Sequence, residues 1–573
     1  MFTSLPSTSE AFSRLSWPSI ELWYRELANT SISQSNLESW LTQWSDLSAL
    51  VDETLANFEI ATTQNTADEE VALRKQHFLE HVHIPLQAAN QQLKEQFLAS
   101  NLCPEGFDIP LRNMRAEAAL YRETNLPLLA EDKILGDAYM EITGSQVVKW
   151  DDKEVPLVSL YTVLFDPDRA RREAAWRIMT TRQQQDRDKL NEIWVQKMQL
   201  RQQIAHNTGF ESFRDYRWRQ MLRFDYTPDD CKAFHTAVEQ VIVPAASQLR
   251  EKQRRLLGVE RLRPWDMYVN PSASEPPRPV SDVPALLRQC LPVFQCIDSQ
   301  LHDYFEIMLQ ENLLDLEERP NKAPGGYNLP LEVRRLPFIF GHVNSVGDVV
   351  PLIFHESGHA FQVFETVPLR FIQQRAEQAV PMEFAEVAST SMEYIGALYL
   401  HQSGLCTQQE ETLIRTQQLE STLMNYIPSV VCGDVFQHWL YEHPAEAQDP
   451  GRVGEQWANI VQRYLPGIDW SGLEDVLRSD WQTTLHYFTD PFYYIEYAFA
   501  AVGALQVWRN YLRDPQTALR QYRHALSLGA TRTLPELYAA AGASFDFNTN
   551  VLQDLTQLIL HSVRQLETNV SKV

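Results

Sequence analysis

Apolar residues recur at three- and four-residue steps over much of this chain, the period of a helix with one buried face. In SNLESWLTQWSDLSALVDETLANF the stripe is Leu37, Trp40, Leu41, Trp44, Leu47, Val51, Leu55 and Phe58, with Ser35 or Asn36 suited to the cap. The following segment, EEVALRKQHFLEHVHIPLQAANQQLKEQFL, repeats the pattern. A third long helical run opens at Asp166-Pro167 and closes at Asn207-Thr208-Gly209. Strand signals are few. SQVVKWDDKEVPLVSLYTVL can hold a short hairpin, and Phe338-Ile339-Phe340 reads as a strand. Pro337, which cannot donate to a ladder, predicts an edge position for that strand. Two breakers, 269–284 and 318–330, read as loops, the first as a surface loop or a hinge between lobes. No repeat of fixed period interrupts this order.

With 573 residues, the chain exceeds one compact core, so two or more lobes or one layered body are expected. A composition of 44% hydrophobic and 22% charged residues is that of a globular protein. The net charge of -25 repels phosphate backbones and argues against nucleic acid as a partner. Six scattered cysteines form no C-x-x-C pair and read as reduced thiols. The N-terminal MFTSLPSTSEAFSRLSW lacks the basic start and apolar run of a signal peptide, and no stretch is long and apolar enough to span a membrane. A cytoplasmic location without membrane association is the expectation.

The candidate chemistry lies in PLIFHESGHAFQVF. Asp348 suits an N-cap and Pro351 a first turn, which predicts a helix from about 349 through the motif. His355 and His359 then share one face, a spacing that can bind one Zn2+. Glu356 sits about 100° round the helix and can reach water activated by the metal. A histidine-rich third-ligand pattern would need Gly and His at 362 and 365; the chain has Gln362 and Glu365. Downstream, QAVPMEFAEVASTSMEYIGALYL reads as a helix starting at Pro381, with Glu383, Glu386 and Glu393 on roughly one face among apolar neighbours. Carboxylates in such company need a cation or hydrogen bonds to offset burial.

HESGHAFQ, with the second Glu of MEFAEVAST 27 positions past His359, resembles the thimet oligopeptidase / oligoendopeptidase F family of zinc metallopeptidases. The segments FDPDRARREAAWR, IAHNTGFESFRDY, RPWDMY and KAPGGYN…PFIFGHV extend the resemblance over most of the chain from about 160. It implies His355, His359 and Glu386 as ligands of one Zn2+ per chain, with Glu383 the competing third ligand, Glu356 as general base and Glu393 orienting a ligand histidine. From HYFTDPFYYIEYAFAAVGALQVW it implies His486, Tyr494 and Tyr497, with Tyr493 as alternative, facing the substrate carbonyl. Tyr493 and Tyr497 at i, i+4, and Tyr494 and Tyr497 at i, i+3, would project to one side of a helix. The family often has a third histidine where this chain has Gln362, which puts substrate preference in question.

The implied fold is mainly α-helical: two helical lobes around a deep substrate channel, with a small β-sheet near the zinc site. The implied regions are 1–160, N-terminal and helical, and 161–573, catalytic. Gly325 and Gly326 before an edge strand suggest pairing with an extended substrate backbone. The expected activity is endopeptidase cleavage of short, unstructured oligopeptides. Its rivals are a dipeptidyl carboxypeptidase of the same superfamily and a catalytically dead peptide-binding protein.

Overall fold

The computed structural model describes residues 5–273, 277–376 and 379–570. Helices dominate, and the strands among the described residues fall into one two-stranded and one three-stranded sheet. Packing groups the chain into two units, each drawn from three stretches. The first comprises Met1–Ala118, Pro277–Glu411 and Gly503–Phe545; the second comprises Ala119–Pro276, Thr412–Val502 and Asp546–Val573. The boundary expected near 160 marks where the family resemblance begins, which is a different kind of division from these packing units.

In the first unit, the stripe read from the sequence folds as the helix Leu37–Gln64, preceded by Asn36. Trp40, Leu41, Trp44 and Leu47 are buried in a core shared with Phe97 and Phe107. Glu53, 3% exposed, binds this helix to other parts of the unit: it accepts from the Ser9 hydroxyl at 2.8 Å and from the Val333 and Arg334 amides at 2.7 and 3.0 Å. Three partners offset the cost of burying its carboxylate.

The three-stranded sheet, β3 (Leu314–Asp315), β4 (Tyr327–Leu331) and β5 (Leu336–Phe340), has the order β3-β5-β4. β5 is therefore central, contrary to the expectation drawn from Pro337. The register explains how proline is tolerated there. Ile339 and Gly341 donate to Leu313 and Asp315, so alternate amides of β5 face β3. Pro337 lies on that same side, beyond the two residues that β3 pairs, and opposite it on β4 stands Pro330. No ladder hydrogen bond is lost at either proline. The edge strands are β3 and β4, and β4 begins inside the stretch 318–330 read as a breaker.

In the second unit, the predicted hairpin is present as β1 (Val147–Trp150) and β2 (Lys153–Pro156), turning through Asp151 and Asp152, both at positive φ. The run expected over 166–209 is two helices, Arg169–Gln184 and Arg187–Thr208. The break falls at Asp186, whose carboxylate is held by Arg182 and by Gln146 at 2.8 Å. Gly209 closes the second helix in the left-handed region, at φ +89. The 269–284 loop carries the junction between the units at 276/277; its residues 274–276 lie outside the described residues. None of the six cysteines forms a disulfide. Among the described residues, no helix is long and apolar enough to cross a membrane.

Candidate metal centre

The helical run through the motif begins at Val349 with Asp348 at its N-cap position, as the sequence suggested, but Asp348 makes no side-chain cap bond to it. Its carboxylate instead closes a capping box one turn earlier, accepting from the Ser345 amide at 2.8 Å and the Asn344 amide at 2.9 Å. A π-helical stretch, Val349–Phe354, follows and leads into the α-helix His355–Glu365. Pro351 lies in that stretch, where the ordinary helical ladder is already interrupted. His355 and His359 still stand one turn apart, with ring centroids separated by 5.2 Å.

The second element is the helix Met382–Gly396, nearly all of whose residues are buried. It is clamped by hydroxyl groups: Tyr522 donates to the Ala388 carbonyl at 2.8 Å and Tyr538 to the Glu383 carbonyl at 3.1 Å. This helix crosses the motif helix at Gly358, where a Cβ would lie 2.5 Å from Ser389 Cα and 2.6 Å from the Ala388 oxygen. The absence of a side chain at Gly358 lets the two backbones touch.

That contact brings Glu386 under both imidazoles. Its Oε2 is 3.4 Å from His355 Nε2 and 3.7 Å from His359 Nε2. Ligands about 2.0–2.2 Å from a tetrahedral ion stand roughly 3.5 Å from one another. Both Glu386 separations match that spacing, and the three donor atoms, all within 4.8 Å of one another, form a cluster that could hold a metal ion. Ser389 Oγ donates to Glu386 Oε2 at 2.9 Å and steadies it. Glu393, two turns beyond Glu386, accepts from His355 Nδ1 at 2.7 Å, leaving Nε2 toward the cluster. Glu383, buried on the same helix, is not part of the cluster.

Charge reinforces the geometry. Burial works against protonation of His355, yet the Glu393 hydrogen bond and the neighbouring carboxylates outweigh it and lift its pKa to about 9. Burial, with the charge of His355, depresses His359 to about 3. Burial first, and then Glu386 and Glu393 against the pull of His355, raise Glu356 to about 7. Glu386 is raised by burial as well. Several buried carboxylates around two histidines form a field that a cation relieves. Glu356 is 7% exposed and its Oε2 has no hydrogen-bond partner.

His359 also lines a narrow cleft bounded by Gln362 and Val363 of the motif helix and by Asn328 and Pro330 of β4. The Gln362 Nε2 and both polar atoms of the Asn328 amide are buried without partners. Such atoms in a cleft wall are poised for a ligand. At the mouth of β4, a Cβ on Gly326 would stand 3.8 Å from Glu356 Oε1. Asn328 was not singled out in the sequence because its strand was read as a loop. Tyr327, Leu329 and Leu331 alternating with it are the signal that could have found it.

In the second unit, His486, Tyr493, Tyr494 and Tyr497 are brought together, all half-buried. The His486 ring lies 5.5, 5.2 and 6.0 Å from the rings of Tyr493, Tyr494 and Tyr497. They do not share one helix, as the spacing had suggested. The helix starts at Ile495, because Pro491 and Phe492, at φ +66, turn the chain just before it. Gly433 makes room for this cluster: a Cβ there would come within 2.7 Å of the Tyr494 ring. Burial lowers the pKa of His486 and raises that of Tyr494.

Two histidines one turn apart, with a glutamate from the next helix at coordination distance, make up the donor set of a metallopeptidase. The model of peptidase family M3 matches residues 163–556, and the chain belongs to that family. Solved structures agree in fold. A PZ peptidase A with an inhibitor is 24% identical, with 96% of this chain and 98% of that chain covered and a TM-score of 0.86. An oligoendopeptidase F is 25% identical over 96% of this chain and 97% of its own, also at 0.86. An oligoendopeptidase F from Bacillus anthracis str. Ames is 22% identical over 98% and 97%, at 0.81. No curated protein matches the chain.

Proposed function

We propose that the protein is a zinc-dependent oligoendopeptidase that cleaves internal bonds of short, unstructured peptides in the cytoplasm. The observation that carries this reading is the spacing of 3.4 and 3.7 Å between Glu386 Oε2 and the two imidazole nitrogens, beside the unpartnered Oε2 of Glu356. In this reading His355, His359 and Glu386 hold one Zn2+ per chain, and Glu393 fixes the orientation of His355. Zinc held there supplies polarisation of the peptide carbonyl and acidification of water. Glu356 receives a proton from the attacking water on a carboxylate oxygen and returns it to the leaving nitrogen as the C–N bond breaks. His486, Tyr494 and Tyr497, with Tyr493 as the alternative, donate to the carbonyl oxygen as negative charge develops on it.

Asn328, with both amide atoms unpartnered, and Gln362, with its Nε2 unpartnered, line the cleft beside His359 and support binding of a peptide backbone along the edge of β4. Cleavage products of a C-terminally amidated oligopeptide test the endopeptidase assignment. Internal cleavage that survives amidation supports it. Release of dipeptides only from substrates with a free C-terminus assigns a dipeptidyl carboxypeptidase instead.

A further inference from the structure

A second group of metal-ligating side chains is buried within the second unit. The helix Pro228–Leu257 carries Cys231 and His235 one turn apart, and the helix Ile427–Glu442 carries Asp434 and His438 one turn apart. One donor atom each from Cys231, Asp434 and His438 lie within 4.8 Å of one another. Cys231 and Asp434 are fully buried, and His438 is 3% exposed. His235 Nε2 stands 2.7 Å from Asp434 Oδ2, but Asp434 Oδ1 has no hydrogen-bond partner. Neither ring nitrogen of His438 has one: its Nε2 is 3.3 Å from Asp434 Oδ2 without the alignment a hydrogen bond needs. Trp218 and Phe492 flank the His438 ring, with centroids at 5.8 and 5.3 Å. Buried polar atoms without partners call for an explanation.

We propose that Cys231, Asp434 and His438 bind a second divalent ion of the zinc class. A thiolate, an imidazole and a carboxylate together suit Zn2+ or Co2+, and a thiolate disfavours Ca2+ and Mg2+. The ion gives Asp434 Oδ1 and one nitrogen of His438 their missing partner in a single step. His235, bound to the other Asp434 oxygen, orients the carboxylate from behind, as outer partners of metal ligands do. Because the donors come from two helices, the ion joins them, and its role is structural. The alternative is a carboxylate flanked by two histidines with no ion. This inference is independent of the proposed peptidase mechanism.

The test uses the full chain, stripped with a chelator and reloaded with Zn2+ or Co2+, for the parent, Glu386→Gln and Cys231→Ala. Two equivalents are expected in the parent and one in each variant. The Co2+ parent should show a sulfur-to-cobalt charge-transfer band, since His355, His359 and Glu386 offer no sulfur. The band should persist in Glu386→Gln and vanish in Cys231→Ala. Should Cys231→Ala fail to fold, the parent and Glu386→Gln still decide the question. A single equivalent lost entirely in Glu386→Gln, with no thiolate band in the parent, overturns the proposal; so does a band that survives in Cys231→Ala.

Discussion

Gly358 and Ser389 meet with no room for a methyl group: a Cβ on the glycine would lie 2.5 Å from the serine Cα. This contact sets the distance between the helix that carries both histidines and the helix that carries Glu386. Gly358→Ala should push the helices apart, costing about 1–3 kcal/mol as overpacking does. It should also cost metal retention. Thermal melting and metal content after dialysis check both, and parental values for the two would remove Gly358 from the account.

Glu393 touches the proposed ion only through His355 Nδ1. Glu393→Gln keeps a hydrogen-bonding group of the same shape but loses the charge that secures the imidazole. Zinc affinity should fall by about 10–100-fold. Competition against a chromophoric chelator measures this, and unchanged affinity would show that the 2.7 Å hydrogen bond is incidental to the site.

Asn328 has neither half of its buried amide partnered in the cleft beside His359. If it binds the peptide backbone equally in the ground and transition states, Asn328→Ala should raise KM with little change in kcat. A loss of about 1 kcal/mol per hydrogen bond corresponds to roughly a fivefold rise. A fall in kcat at constant KM would give Asn328 a different role.

Asp315 on β3 is bound by Arg319 at 2.6 Å and by Lys322 at 3.0 Å; against burial, these pairs hold its pKa down at about 2. Lys322 in turn donates to the Gly341 carbonyl at 2.6 Å, at the end of β5. The unfolded chain, with an ordinary pKa of about 3.9, takes up the proton first as pH falls. The stabilisation from Asp315 is therefore complete above about pH 4 and is lost as pH falls towards 2. Urea midpoints across that window should converge for the parent and Asp315→Asn, and stay apart above it. A constant difference through the window would contradict the assignment.

Helical character and the two histidines were legible because both rest on a local period of about 3.6 residues. Glu386 was legible only through a longer motif, since three glutamates on one helix face are equivalent until a second helix approaches. That approach depends on Gly358 fitting against Ser389, a pairing of residues 31 positions apart that no local pattern records. β5 was found but misplaced, because whether Pro337 is tolerated depends on where β3 ends. β4 was hidden by Pro330, which its register places opposite another proline. Tyr493 and Tyr494 kept helical spacing in sequence, but the turn at Phe492 excludes them from the helix. The His355 Nδ1–Glu393 hydrogen bond brings together residues whose alignment depends on the helix crossing itself.

The most direct test compares the parent with Glu356→Gln for bound zinc and for turnover of an internally quenched fluorescent oligopeptide. Glu356 is not among the residues of the metal cluster, so both forms should bind zinc at the His355–His359–Glu386 cluster equally. Turnover by Glu356→Gln should drop by about 10²–10⁴-fold, the range for loss of a positioned general base. Equal turnover by the two forms, or a parent that binds no zinc, would contradict the account.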